Sequence, residues 1–414
     1  MRSLVPRLPR RAWLILGGDM LSAVGSGLTM PFFIVYLTRI RGIDLFVAGL
    51  ALSALAVASF AGNVIGGSLA DRIGPRRALM AGLVAGAGGA TWFAYVHSVP
   101  AAFGAAALIG LGASIAWPAA DALLATAVEE SQRSGAFALR HATMNAGFGL
   151  GAVAAAGIVE LESARSFEVL YLVDAATFLA FLPLLAALRG VGNRPPPAED
   201  AGAGGYLAVF ADRTFLAVWL VTALLVVVGY AQYEAAVPPY ATGTGGISAD
   251  ALALVFAANT FSVALFQLFA LRLLGGRRRT TALILAAAIL GLAWCLVILA
   301  ARVGGGTAAV AGFAAAMAVI ALFETLLSPV LAPLVNDLAP DHLRGRYNGA
   351  FVLAYTTGFA VGPALAGVGL GIGDGTPFFA LLVAGSAVAV LGGVLLRRRL
   401  PVAVDRVDLQ LGAA

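Results

Sequence analysis

The sequence predicts an all-α membrane protein with twelve spanning helices in two six-helix halves. Three observations predict it. The chain is 61% hydrophobic and 11% charged, with a mean hydropathy of +0.94. Its nearly uncharged runs repeatedly reach the ~20 residues that cross a ~30 Å hydrocarbon core. Its 26 basic side chains are all arginine and gather between those runs. The half-polar alternation of a membrane barrel is not seen. Lipid offers no partner to a bare backbone, so the runs must be helices.

Span 1 covers residues 13–38. With MRSLVPRLPRR before it, the run mimics a secretory leader. It is longer than a leader core and shows no small-residue cleavage pattern, so it reads as a retained helix. Spans 2 to 6 cover 47–70, 78–97, 101–127, 140–160 and 168–188. RGVGNRPPPAEDAGAGG, Arg189 to Gly205, is the one long polar Pro/Gly stretch and reads as a linker. Spans 7 to 12 follow at 213–239, 250–271, 280–301, 307–335, 349–372 and 377–396. The chain therefore divides into a first half, 1–188, a linker, 189–205, and a second half, 206–414, which ends in a short tail.

Orientation follows from the arginines. With the N-terminus in the cytoplasm, 22 arginines fall in cytoplasmic segments. Only Arg39, Arg41, Arg165 and Arg302 fall outside. That asymmetry satisfies the positive-inside rule and puts both termini and the linker in the cytoplasm of a multi-pass cell-membrane protein. It also accounts for the net charge of +5 without a nucleic-acid partner. A single cysteine, Cys295, excludes an internal disulfide and a cysteine metal site. His97, His141 and His342 are scattered and form no ligand pair, so neither a metal nor a cofactor is expected.

The halves echo each other. Pro118 and Pro329, Arg133 and Arg344, Gly147 and Gly358, and Gly151 and Gly362 are each 211 positions apart. Parallel six-helix repeats are a transporter architecture, with the substrate site expected between the halves near the midplane.

Between spans 2 and 3 lies GGSLADRIGPRRALM, Gly66 to Met80. It sets Asp71, Arg72, Arg76 and Arg77 among Gly67, Gly74 and Pro75. The glycines allow close approach and a tight turn, and Pro75 suits the first turn of a helix. A plain anchor loop of positive charge would look similar. The pattern G-x-L-A-D-R-x-G-x-R, Gly67 to Arg76, resembles the signature loop of the major facilitator superfamily. APDHLRGRYNGAF (Ala339–Phe351) and GFAVGPALAG (Gly358–Gly367) resemble it too. Together with the spans, linker and repeat, the resemblance covers essentially the whole chain. It implies that Asp71 sits against the start of span 11 and that Arg72 and Arg76 join a charge network, latching one conformation. An acid at a helix start is chemically sensible. Gly67, Gly74 and Asp121, at the cytoplasmic end of span 4, belong to the same latch. Within the superfamily the chain looks most like drug:proton antiporters and related exporters. It departs from them at Ala106, where they often carry arginine. It also departs at Asn145–Gly151, which lacks their proline.

Five acids fall inside spans: Asp19, Asp121, Asp174, Glu234 and Glu324. Such groups cost several kcal/mol and usually face a cavity or a partner. Asp19, Ser22, Ser26 and Thr29 share one face of span 1. Ser114, Trp117 and Asp121 share a face of span 4, Tyr230, Tyr233 and Glu234 one of span 7, and Glu324 and Ser328 one of span 10. In the resembled family those four spans line the central cavity. Glu324, nearest a span centre, is the first candidate for carrying a proton, followed by Glu234 and Asp19. Ser26, Trp117, Tyr230, Tyr233 and Ser328 are candidates for substrate contact. Hydroxyls in membrane helices commonly bond only to backbone or a neighbouring helix, and aromatics commonly only pack.

The expected function is secondary transport by a monomer: export of small amphiphilic or drug-like molecules, coupled to protons. An importer on the same fold, by symport or uniport, is the alternative. A non-transporting receptor is a third reading, which the short loops disfavour. No Walker A loop and no nucleophile–base arrangement point to an enzyme.

Overall fold

The computed structural model of the chain describes residues 8–129, 132–188, 206–274, 276–340, 343–402 and 404–406. Side chains at 64, 67, 68, 71, 134, 138, 206, 268–273, 344 and 345 lie outside that description. The described residues are helical nearly throughout. In the first half lie α1 (Arg10–Thr29), α2 (Leu45–Ile73), α3 (Pro75–Ala94), α4 (Val99–Ala127), α5 (Arg133–Ala156) and α6 (Ala164–Ala187). In the second, after a short helix at Tyr206–Ala211, lie α7 (Arg213–Leu225), α8 (Ala249–Leu274), α9 (Arg279–Arg302), α10 (Gly306–Leu338), α11 (Arg344–Leu370) and α12 (Thr376–Arg399). Each overlaps one expected span. Ten helical stretches among the described residues are long and apolar enough to cross a membrane. The exceptions, α3 and α5, carry arginines and many glycines. The linker, 189–205, lies outside the described residues.

The chain divides into two compact units. Unit 1 is Met1–Glu199 with Ser248–Ala257, and unit 2 is Asp200–Ile247 with Ala258–Ala414. In unit 1, α4 packs on α2 and α3, while α1 packs on α5 and α6. In unit 2, α9 packs on α10 and α12, while α7 packs on α11 and α12.

The repeated glycines mark equivalent crossings. A Cβ at Gly151 would collide with the Val24 carbonyl and one at Gly147 with the Met20 carbonyl, both on α1. A Cβ at Gly358 would meet Val226, and one at Gly362 would meet Ala231, on the segment that continues α7. Only glycine lets these backbones approach so closely.

The first helix of each half is irregular. Beyond Thr29, α1 passes through a 3₁₀ turn (Met30–Phe32) and a helical turn (Phe33–Val35) into a π-helical turn (Tyr36–Ile40). Pro31 has no N–H, so the carbonyl four residues back, at Gly27, loses its usual partner. Helix α7 passes through a π-helical turn (Val226–Tyr230) into Ala231–Ala235 and Val237–Thr242. Between α2 and α3, Gly74 has φ +86°, and Pro75 opens α3.

Two details depart from expectation. Helix α5 begins at Arg133, seven residues before the expected start of span 5, so Arg140 is an intrahelical residue. The reason is electrostatic: carboxylates on two neighbouring helices neutralise it. The tail also makes a contact with α9 through Asp405. Asp405, fully buried, accepts hydrogen bonds from the Thr280 N–H and hydroxyl, both at 2.8 Å, and so caps α9. Outside the membrane segments, the backbone N–H and hydroxyl of Thr376 hold Asp374 below the usual carboxylate range.

Candidate functional site

Charge is handled differently in the two units. In unit 1, Arg140 stands two turns inside α5. Its Nε donates to Asp19 Oδ2 at 2.6 Å, and its Nη1 donates to Asp121 Oδ1 at 2.7 Å. The Arg140 and Asp19 side chains are 6% and 9% exposed, whereas that of Asp121 is 37% exposed. The guanidinium also lies over the Trp117 ring, 5.1 Å from its centroid. One arginine thus ties α1, α4 and α5 together. Two carboxylates against one guanidinium leave the cluster one negative charge in excess.

One cavity borders this cluster, and a second adjoins the first. The first, of about 140 Å³, is lined by Asp19, Ser22, Ser26, Trp117, Arg140 and Met144 among others. The second, of about 160 Å³, is lined by Ser26, Thr29, Tyr171 and Asp174 with apolar neighbours. Ser26, Ala113, Phe148 and Phe178 line both. Thr29 Oγ1 donates to Asp174 Oδ2 at 3.1 Å.

In unit 2 the acids meet aromatic rings and amides. Asn259 Nδ2 donates to Glu324 Oε1 at 3.1 Å and to the Met317 carbonyl at 3.2 Å. Tyr233 hydrogen-bonds Glu234, and the Glu234 and Glu324 charges lie close enough to act on each other. The Tyr230 ring packs on Phe323, Tyr355 and Tyr233, with centroids 5.2, 6.0 and 6.5 Å away. Neither glutamate belongs to any of the ion pairs among the described residues. Such a cluster can hold a proton, or a cation with apolar bulk, more readily than an anion.

A family model described as Major Facilitator Superfamily matches residues 15–246 and 235–410. The chain belongs to the Major Facilitator Superfamily. It is therefore a transporter-family protein, not an enzyme. Among curated relatives it is 26% identical over 263 residues to the MFS-type transporter YttB of Bacillus subtilis (strain 168). It is 26% identical over 233 residues to YqjV of the same organism. It is 32% identical over 133 residues to the Na(+), Li(+), K(+)/H(+) antiporter of Planococcus maritimus. These matches cover 63%, 55% and 31% of this chain and 64%, 56% and 31% of those relatives' own lengths, less than two thirds in each case. Solved structures share the fold. A peptide transporter POT in complex with sulfate matches at TM-score 0.80 and 17% identity, over 97% of this chain and 96% of that one. The nucleoside transporter NupG matches at TM-score 0.74 and 14% identity, over 94% of this chain and 100% of that one. At such identities the likeness speaks for the fold alone.

The loop whose sequence resembles the superfamily's signature joins α2 to α3. There Arg72 is exposed, and Arg76 Nη1 reaches the Leu188 carbonyl at 3.4 Å. The side chain of Asp71 and the surroundings of Gly67 lie outside the described residues. Asp121, expected with that loop, accepts a hydrogen bond from Arg140. Asp19, Ser26 and Trp117 come together in unit 1; Tyr230, Tyr233, Glu234 and Glu324 come together in unit 2. Ser328 is exposed on α10. Sequence reasoning missed Arg140, Asn259 and Tyr355. A signal for the first was present: Arg140, Met144 and Phe148 recur every four residues and all line the first cavity.

Proposed function

We propose that this chain is a secondary active transporter of the cell membrane. It exports small amphiphilic molecules in exchange for protons by alternating access, with both termini cytoplasmic. The observation that carries the reading is Glu324. It is set in a span, bonded by Asn259 and close to Tyr230 and Tyr355, and it belongs to none of the ion pairs among the described residues. A carboxylate there is costly unless hydrated, paired or protonated. A site wetted alternately from each side uses that cost: it holds a proton when dry and releases it when wet. The tyrosines offer flat faces to an apolar or cationic substrate. A relative named as a cation/proton antiporter favours exchange over co-transport.

The test is Glu324→Gln in proteoliposomes, assayed with a panel of amphiphilic compounds. Uphill transport driven by a pH gradient should vanish, while substrate binding persists without its pH dependence. Normal pumping with unchanged proton flux per substrate would move the role to Glu234 or Asp19. The orientation has its own check. In a Cys295→Ser background, a cysteine at Glu162 should react with impermeant thiol reagents added outside, and one at Ala201 should not. The reverse pattern inverts the topology.

A further inference from the structure

The proton reading of unit 2 leaves one buried acid in unit 1 unused. Asp174, on α6, is 5% exposed. Its Oδ2 accepts from Thr29, but its Oδ1 has no hydrogen-bond partner among the described residues. One turn earlier on the same face, Tyr171 is 2% exposed, and its hydroxyl likewise has no partner. Both residues line the 160 Å³ cavity, together with the hydroxyl-bearing Ser26 and Thr29. An unpartnered oxygen on a buried carboxylate and an unpartnered buried phenol are each costly on their own. Both residues border the same cavity, and neither oxygen is committed to a hydrogen bond among the described residues.

The backbone at this place is also unusual. Thr29 is the last residue of α1, and the 3₁₀ turn with Pro31 follows directly. Pro31 withholds an N–H from the Gly27 carbonyl. Discontinuous membrane helices of this kind supply backbone carbonyls to alkali cations in transporters. Opposite, α1 has Gly25. A Cβ there would lie 2.5 Å from Asp174 Oδ1 and would strike Thr177 Oγ1, so only glycine lets α1 approach this closely to Asp174. The polar side chains on this cavity offer only oxygen: a carboxylate, a phenol and two hydroxyls. Oxygen-only sets with one negative charge suit small hard cations rather than soft metals.

We propose that the Asp174–Tyr171–Thr29 pocket of unit 1 binds a sodium-sized monovalent cation. The bound charge neutralises Asp174 and satisfies the phenol oxygen. This site is separate from Glu324, so its success or failure does not depend on the proton assignment in unit 2.

The experiment measures equilibrium binding of ²²Na⁺ to purified full-length protein in lipid nanodiscs, with choline replacing sodium at constant ionic strength. Saturable binding is expected, and Asp174→Asn should abolish it. Tyr171→Phe keeps the ring that packs on Tyr36 and Phe93 and removes one oxygen. It should raise the Kd about tenfold, as expected for one ligand to a charge. Thr29→Val should weaken binding and Thr29→Ser restore it. Glu324→Gln should bind sodium unchanged even where it no longer pumps. Absence of saturable binding in the parent protein overturns the proposal. So does undiminished binding in folded Asp174→Asn. If sodium has no effect but proton uptake is lost in Asp174→Asn, the pocket is a proton site and the cation assignment is wrong.

Discussion

Unit 1 sets an arginine against two of its membrane-buried acids, Asp19 and Asp121, whereas among the described residues no arginine is set against the two glutamates of unit 2. The repeat makes the comparison position by position. At the 211-residue offset, Arg140 of α5 corresponds to Phe351 of α11, and Asp121 of α4 to Ala332 of α10. Conversely Glu324 corresponds to Ala113, which lines both cavities of unit 1. The glycine crossings are kept in both units, so the scaffold is shared while the chemistry set on it is not. Phe351 packs against Tyr355, and Tyr355 against Tyr230, so an aromatic cluster stands where unit 1 has an ion-paired triad. An ion-paired triad fastens helices together. Carboxylates without a cation partner are free to take up and release one. On the proposed reading, fastening falls to the triad and exchange to the glutamates of unit 2.

The largest effect that would sharpen this contrast comes from Arg140→Met. The change keeps most of the apolar stem and removes the charge. It leaves Asp19 and Asp121 facing each other with no cation between them. Losing one partner of a buried ion pair costs about 3–5 kcal/mol. A fall of that order in unfolding stability in detergent is expected. Adding Asp19→Asn should recover most of it, because Asp19 is the more buried acid. Adding Asp121→Asn should recover less, because Asp121 is already partly hydrated. If Arg140→Met unfolds no more easily than the parent protein, the triad does not fasten unit 1 and the contrast fails.

Much of the fold was legible in the sequence, and the reason is physical. A spanning helix must be long and apolar, and its flanking arginines must stay in water, so length and charge mark each span. The glycines at 147, 151, 358 and 362 were visible as a repeat before their crossings were known. The ion pairing was not legible. An arginine seven residues inside α5 looks like a loop residue when the boundary is placed by charge. Only the carboxylates of α1 and α4 allow it to be helical and buried, and they lie 121 and 19 positions away. Asn259 was hidden for the same reason: its role depends on Glu324, 65 positions on. The breaks in α1 and α7 were also missed. Pro31 stood in plain view, but its consequence depends on what the freed carbonyl faces.

The smallest expected effect is on the stability of Glu324→Gln, and it tests the other side of the comparison. Glutamine has the size of glutamate and keeps a carbonyl oxygen where Oε1 accepts from Asn259. No ion pair is broken, because none is present at that position among the described residues. What is lost is the ability to ionise, and an ionised carboxylate inside a span is itself destabilising. The unfolding midpoint should therefore stay within the ~0.5 kcal/mol scatter of neutral substitutions, or rise slightly. The sign is opposite to that of Arg140→Met, although both changes remove a charge from a membrane span. A fall comparable to that of Arg140→Met would mean that Glu324 serves a counter-charge after all. Its role would then be structural, and the division of labour between the two units would collapse. A neutral result combined with loss of pH-driven transport would leave Glu324 one role, that of a group whose protonation matters more than its contacts.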